Sequence, residues 1–307
     1  MARAALLAGL VAGGSACAWF GLPGFATAYN LVGLAAEAAP MAMVAIIMAL
    51  CLRPGEPDLS PEGTAALGGM AAVTAASVLG APAGLAAGLA VGALAGALTG
   101  EAVQRLRWPN WLTTLAALAA LHVLAFAPSG GAAVALSDPW IDAIGNGSSL
   151  RVPAPVWIAA AVVGVGWLIR RSMERLGSPV DRSHAAHAEG MRSGEASAAA
   201  TRGRARAGAI IGSVSALAGI VIAARSGTAQ PMAAMGLSLD ALCVLALAGH
   251  LRSDRPAAWP NLILASALWA LIMNVMAVAA LPPMLRYLAH ALTLMAAAPR
   301  TIGRRPA

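Results

Sequence analysis

Lysine is absent from all 307 residues of this chain. Charge of any kind is scarce: 11% of residues are charged, against roughly a quarter in an ordinary soluble domain. Each shortage excludes something. Without lysine there is no P-loop lysine to sit on nucleotide phosphates and no Schiff-base lysine. The three cysteines, Cys17, Cys51 and Cys243, lie far apart in apolar stretches, so neither a paired-cysteine zinc site nor a disulfide framework is indicated. Aromatics make up 4% of the chain, too few for base-stacking platforms. No Ser-His-Asp order, HExxH, CxxC or glycine-rich phosphate loop occurs, and no catalytic residue, cofactor or metal site is expected.

Apolar residues are what the chain has instead. They form 59% of it, and the mean hydropathy is +0.75. A membrane-crossing helix needs roughly 20 mostly apolar residues. Ten segments meet or approach that: Ala4–Phe20, Leu34–Leu52, Thr64–Leu79, Ala83–Thr99, Trp111–Ala127, Pro153–Ile169, Ala207–Ala224, Met232–Leu251, Leu262–Leu281 and Met284–Ala298. The first is read as a retained helix rather than a cleaved signal peptide, because removing it leaves an odd number of spans.

The net charge of +7 comes entirely from arginine. With the N-terminus inside and sides alternating, the inner face receives Arg3, Arg53, Arg105, Arg107, Arg170, Arg171, Arg175, Arg182, Arg192, Arg202, Arg204, Arg206, Arg252, Arg255, Arg300, Arg304 and Arg305. The outer face receives only Arg151, Arg225 and Arg286. That asymmetry follows the positive-inside rule. The expected fold is therefore an all-α polytopic membrane protein with about ten transmembrane helices, N-in and C-in. One transmembrane domain would span 1–307, with a cytoplasmic loop at about 170–206 and an outer loop at about 128–152. The outer loop carries turn residues. The inner one holds eight arginines with Glu174, Asp181, Glu189 and Glu195, and reads as a docking surface or a solvated topogenic loop.

Gly84, Gly88, Gly92, Gly96 and Gly100 recur every four residues and share one helix face. In a bilayer such a face admits close backbone approach by another helix. Gly208–Gly212 and Gly164/Gly166 point to similar contacts. Glu37, His122, Asp240, His250, His290 and Asn274 stand inside apolar runs, where ionisable groups face a cavity or a partner. Glu37, Asp240 and Asn274 are candidates for a translocation path; a protonated carboxyl bonded to a neighbouring carbonyl is the alternative for the two acids. His122 and His290 read as packing residues, and His250 as a solvated residue at the inner edge. Trp108, Trp111, Trp157 and Trp259 sit near helix starts, where interfacial tryptophans collect.

Several stretches, in order along nearly the whole chain, resemble the permease subunits of bacterial ABC importers for ribose, xylose and related monosaccharides. Gly24-Phe25-Ala26-Thr27-Ala28-Tyr29-Asn30-Leu31 resembles the entry to that family's second helix. Asp58-Leu59-Ser60, followed by Gly63 to Met70, resembles its most recognisable segment, leading into the third. Leu106-Arg107-Trp108-Pro109 with Leu112 to Leu115, Ser137-Asp138-Pro139, Val152 to Val156, Ser215 to Pro231, and Leu239-Asp240-Ala241-Leu242 continue the match. The chain departs from the family at Pro61-Glu62, normally Val-Gly. It departs again at Gly194 to Arg202, a loose echo of the family's inner loop, and at Gly249 to Arg255, normally a glycine cluster.

The resemblance implies a transport subunit of a bacterial inner membrane that catalyses nothing itself. It implies a separate ATP-binding subunit docking around Gly194, Glu195, Ala198, Ala199 and Arg202, and a periplasmic solute-binding protein. A second permease copy or a paralogue, the lipid bilayer, and no nucleic acid complete the expected partners. An ABC permease for branched-chain amino acids and a ten-helix secondary drug/metabolite transporter are the alternatives; the latter predicts two similar five-helix halves.

Overall fold

The computed structural model describes residues 2–52, 54, 56–176, 198–251 and 256–297, without the side chains of 172–176 and 198–200. Eleven helices lie among the described residues: α1 (Ala2–Gly21), α2 (Ala28–Cys51), α3 (Pro61–Leu79), α4 (Ala81–Leu106), α5 (Asn110–Phe126), α6 (Pro139–Asn146), α7 (Ala154–Leu176), α8 (Ala198–Ser226), α9 (Leu237–Ala248), α10 (Trp259–Val278) and α11 (Met284–Ala297). Seven of them, α1–α4, α7, α8 and α10, are long and apolar enough to cross a membrane. The chain is an all-α polytopic membrane protein.

Every apolar segment read from the sequence contains a helix; α2, α4, α7 and α8 run well past the expected edges, and one segment is cut short. Met232–Leu251 holds a helix of only 12 residues, Leu237–Ala248, about 18 Å long. Gly236 and Gly249 bound it with φ of +93° and +85°, a backbone region that glycine enters without penalty. The amide of His250 then donates to the Leu245 carbonyl oxygen and that of Gly249 to Ala246, closing the helix end. The outer segment 128–152 also holds more than turns. Asp138 caps α6 by accepting from the amides of Trp140 and Ile141. Val134–Ala135 (β1) pairs antiparallel with Thr228–Ala229 (β4), and Ser148–Ser149 (β2) with Val152–Pro153 (β3).

Packing starts from α3, α4 and α8. A single residue, Gly80, joins α3 to α4, and its φ of +82° turns the chain back on itself. The five glycines of α4 then meet two helices. Gly84 and Gly88 lie on Ala72, Ala76 and Gly68 of α3; Gly92, Gly96 and Gly100 lie on Gly212, Gly208 and Arg204 of α8. A Cβ at any of these five positions would overlap a neighbouring backbone oxygen, so the contacts are backbone against backbone. Gly166 lies against Leu50, whereas Gly164 faces open space.

Around this trio, α2 supplies Met43, Val44 and Met48, α3 Met70, α9 Leu245 and α10 Leu262 and Trp269, all buried. Helix α5 lies on α3, α7 on α2 and α11 on α9. Helix α1 packs mainly on α10, with Arg3 reaching Gly249 beyond α9, and leaves most of its surface open, burying only Leu7 and Ala18. Helix α6 packs on α8, and its Ile141 is buried in a cluster with Ala72 and Ala76 of α3, Ala81 of α4, and Ile220 and Ala224 of α8.

Candidate functional site

Residues 56–60 lead into α3 outside any helix or strand, and side chains hold them in place. Asn110 Nδ2 donates to the Pro57 carbonyl oxygen (2.5 Å), and the Leu59 amide donates to Thr114 Oγ1 (3.2 Å). Gly63 lies on Leu118 and Leu121. Leu118 is eight residues past Asn110, about 12 Å along α5, so α3 begins two turns inside the bundle. Asp58 organises the start: its Oδ1 accepts from the Ser60 amide and from Ser60 Oγ, each at 2.8 Å. Burial pushes the Asp58 carboxyl up, while the Ser60 hydrogen bonds and the Arg204 charge oppose that. The quoted Asp58-Leu59-Ser60 motif is thus the entry to a helix whose first turn is buried.

Pro61 at the first helical position and Glu62 at the second suit a helix N-terminus. Glu62 Oε2 accepts from the Gly236 amide at 3.0 Å. The Glu62 amide donates to Ser238 Oγ (3.0 Å), and Ser238 Oγ donates to the Leu59 carbonyl oxygen (2.9 Å). Two helix N-termini, of α3 and α9, therefore meet at one carboxylate. His122 closes the group: Nδ1 bonds the Leu118 carbonyl oxygen, and Nε2 lies 4.0 Å from Glu62 Oε1 without a hydrogen-bond partner.

Asp240, one turn into α9, faces α10 and α11. Its Oδ1 accepts from Trp269 Nε1 and contacts His290 Nε2, both at 2.8 Å, and Arg286 lies 4.0 Å from Oδ2. Trp269 and His290 meet edge to face, with ring centroids 5.1 Å apart. Asn274 joins α10 to α2 by reciprocal amide bonds with Asn30, at 3.0 and 2.9 Å. Glu37 stands apart from both. Its side chain is 69% exposed on α2, and Arg225 lies 3.8 Å away. The path residues named from the sequence are thus separated: Asp240 and Asn274 are enclosed by partners, and Glu37 is open.

His250 corrects the sequence reading. It is buried, not solvated, with Nδ1 accepting from the Ala257 amide (3.3 Å) and Nε2 unpartnered. Burial first, and Arg170 second, lower its pKa to about 4. Of the expected coupling residues, Gly194 and Glu195 lie outside the described residues. Ala198 and Ala199 open α8, and Arg202 on the same helix is exposed.

Sequence reasoning missed Glu62, Ser238, Trp269 and Arg204. Glu62 had one visible signal, an acid following a proline at a helix start. The other three had none. Among the described residues no group of three or more metal-ligating side chains occurs.

A family model described as "Branched-chain amino acid transport system / permease component" matches residues 30–178. The L-arabinose transport system permease protein AraH of Escherichia coli (strain K12) is 30% identical over 292 residues, covering 92% of this chain and 85% of that protein. The protein of the same name from Shigella flexneri matches equally. The L-arabinose ABC transporter permease protein AraH of Azospirillum brasilense is 26% identical over 275 residues, covering 87% of this chain and 78% of that one. No solved structure matches the chain significantly.

Proposed function

We propose a monosaccharide importer from one premise: the chain belongs to the permease family of ATP-binding-cassette transport systems. As a permease component it moves a small solute across the membrane and is a transport subunit rather than an enzyme. The solute we assign is a pentose or similar monosaccharide, carried into the cytoplasm across a bacterial inner membrane. The observation that carries this reading is 30% identity to an arabinose permease across 92% of the chain.

The working unit pairs this chain with a second permease copy. A separate ATP-binding subunit on the cytoplasmic side hydrolyses ATP, and a periplasmic solute-binding protein delivers solute. The absence of lysine supports that division of labour, since a P-loop cannot be built here. In our topology ten segments cross the membrane, N-in and C-in, and in the eighth, Met232–Leu251, α9 is only the half-length helical part. The arginine distribution supports it. Helix α6 and the two strand pairs lie outside, and the ATP-binding subunit engages the surface around 194–202.

The path runs beside α2. An exposed carboxylate on an apolar helix needs water or a partner chain, which favours Glu37 with Arg225 as path-lining groups. Asp240 and Asn274 brace the helices behind it.

Cells expressing the chain with its ATP-binding and solute-binding subunits should take up labelled L-arabinose or a related pentose. Uptake should stop when the P-loop lysine of the ATP-binding subunit is replaced. The matched family model's description favours a second reading, branched-chain amino acid import. Leucine uptake that pentoses do not compete would establish that reading instead. Uptake that persists without ATP hydrolysis would sink both.

A further inference from the structure

A chain of polar contacts runs through the bundle from Arg204 to the first turn of α9. Arg204 lies near the start of α8, two residues beyond the exposed Arg202 and two before the exposed Arg206, and it alone of the three turns inward. Its Nη1 donates to Glu56 Oε2 at 2.8 Å and its Nη2 to Asn110 Oδ1 at 2.7 Å. The Arg204 and Glu56 side chains are 11% and 23% exposed, so water barely screens the pair. Asn110 passes the contact on to the Pro57 carbonyl oxygen.

One planar cation therefore ties the cytoplasmic end of α8 to the N-terminus of α5 and to the strap 56–60. The strap belongs to no helix or strand, so its position depends on these side chains. Two contacts carry the chain onward: Leu59 bonds Ser238 through its carbonyl oxygen, and Glu62 bonds the Gly236 amide. A displacement of α8 is thereby delivered to the junction where α3 and α9 begin.

We propose that Arg204 is a positioning residue for transport, coupling the cytoplasmic end of α8 to the α3–α9 junction through the strap 56–60. The proposal rests on the reading that a separate ATP-binding subunit acts at that end of the molecule. A guanidinium suits the task because its two-pronged bonding transmits direction as well as attraction. Hydrogen-bond and ion-pair networks between rigid elements are among the means by which distant sites are coupled.

The test uses the complete importer in liposomes, with pentose uptake and ATP hydrolysis measured together. Arg204→Gln and Glu56→Gln should still assemble with the ATP-binding subunit and hydrolyse ATP. Pentose moved per ATP should fall by about tenfold in Arg204→Gln and by less in Glu56→Gln. Arg206→Gln, on the exposed face, should match wild type. The exchanged pair Glu56→Arg/Arg204→Glu should recover at least half of the lost ratio, because it restores the ion pair; a merely structural arginine would instead lower assembly and ATP hydrolysis together with uptake. An unchanged ratio in both single variants, or a lowered ratio with no recovery in the exchanged pair, overturns the role of Arg204 alone. If Arg204→Gln does not insert, Glu56→Gln decides by the same two outcomes. If no ATP-binding subunit co-purifies with the wild-type chain, the importer reading and this proposal fall together.

Discussion

His290 presents Nε2 to Asp240 Oδ1 at 2.8 Å while its Nδ1 lies 2.6 Å from the carbonyl oxygen of Arg286. A carbonyl oxygen only accepts, so Nδ1 carries a hydrogen. The contact with Oδ1 then needs a second proton between the two side chains. Imidazolium with carboxylate and imidazole with carboxylic acid both satisfy it, and the pair is neutral overall in either form. Neutrality is what an apolar interior tolerates, and Trp269 and Arg286 complete the carboxyl's surroundings.

His290→Leu should remove that compensation and leave a largely buried acid short of a partner. Breaking a buried pair from one side costs about 3–5 kcal/mol. The variant should melt well below wild type in detergent, as followed by size-exclusion fluorescence. Adding Asp240→Asn should recover part of the loss, because the stranded charge goes too. Equal melting of His290→Leu and wild type would show that the pair carries no weight.

Gly92→Leu and Gly96→Leu should impair folding of the single chain before any association with a second copy. The glycine face of α4 is filled by α3 and α8 of the same chain, and a side chain at Gly96 would run into the Gly208 carbonyl group. Overpacking costs about 1–3 kcal/mol where neighbours can give, and here the neighbours are backbone. Gly164→Ala, with nothing within 4 Å, is the control and should be neutral or slightly stabilising. Recovery of normal, folded Gly96→Leu protein would contradict the packing.

Acid should destabilise the chain through His250. Its folded-state pKa is lowered to about 4, below the ordinary 6.5, by burial and by Arg170. Between those values the unfolded chain binds the proton and the folded chain does not, so stability falls as pH drops from about 6.5 towards 4. His250→Asn keeps an acceptor for the Ala257 amide but cannot titrate. The melting temperature of the variant should fall less steeply than that of wild type between pH 7 and about pH 5. Parallel slopes would exclude His250 as a source of the acid sensitivity.

Much of the molecule was legible in one dimension, and the reason is physical. Apolar runs long enough for a bilayer and glycines every fourth residue along α4 are local properties. They placed a helix in each of the ten segments, while the family came from the resemblance of motif stretches such as Asp58-Leu59-Ser60. The tertiary structure alone decided which groups meet. Glu62 appeared in the sequence only as a departure from a motif, and its partner Gly236 lies 174 positions away. Arg204 was one of many inner arginines until folding set it against Glu56, 148 positions distant. Met232–Leu251 had hydropathy enough for a span, yet the chain enters α9 only at Leu237, where the buried start of α3 offers Gly236 a carboxylate and Ser238 a backbone partner. Hydropathy assigns residues to an apolar phase. Which polar groups neutralise one another inside it depends on how the helices are arranged, and no periodicity in the sequence encodes that.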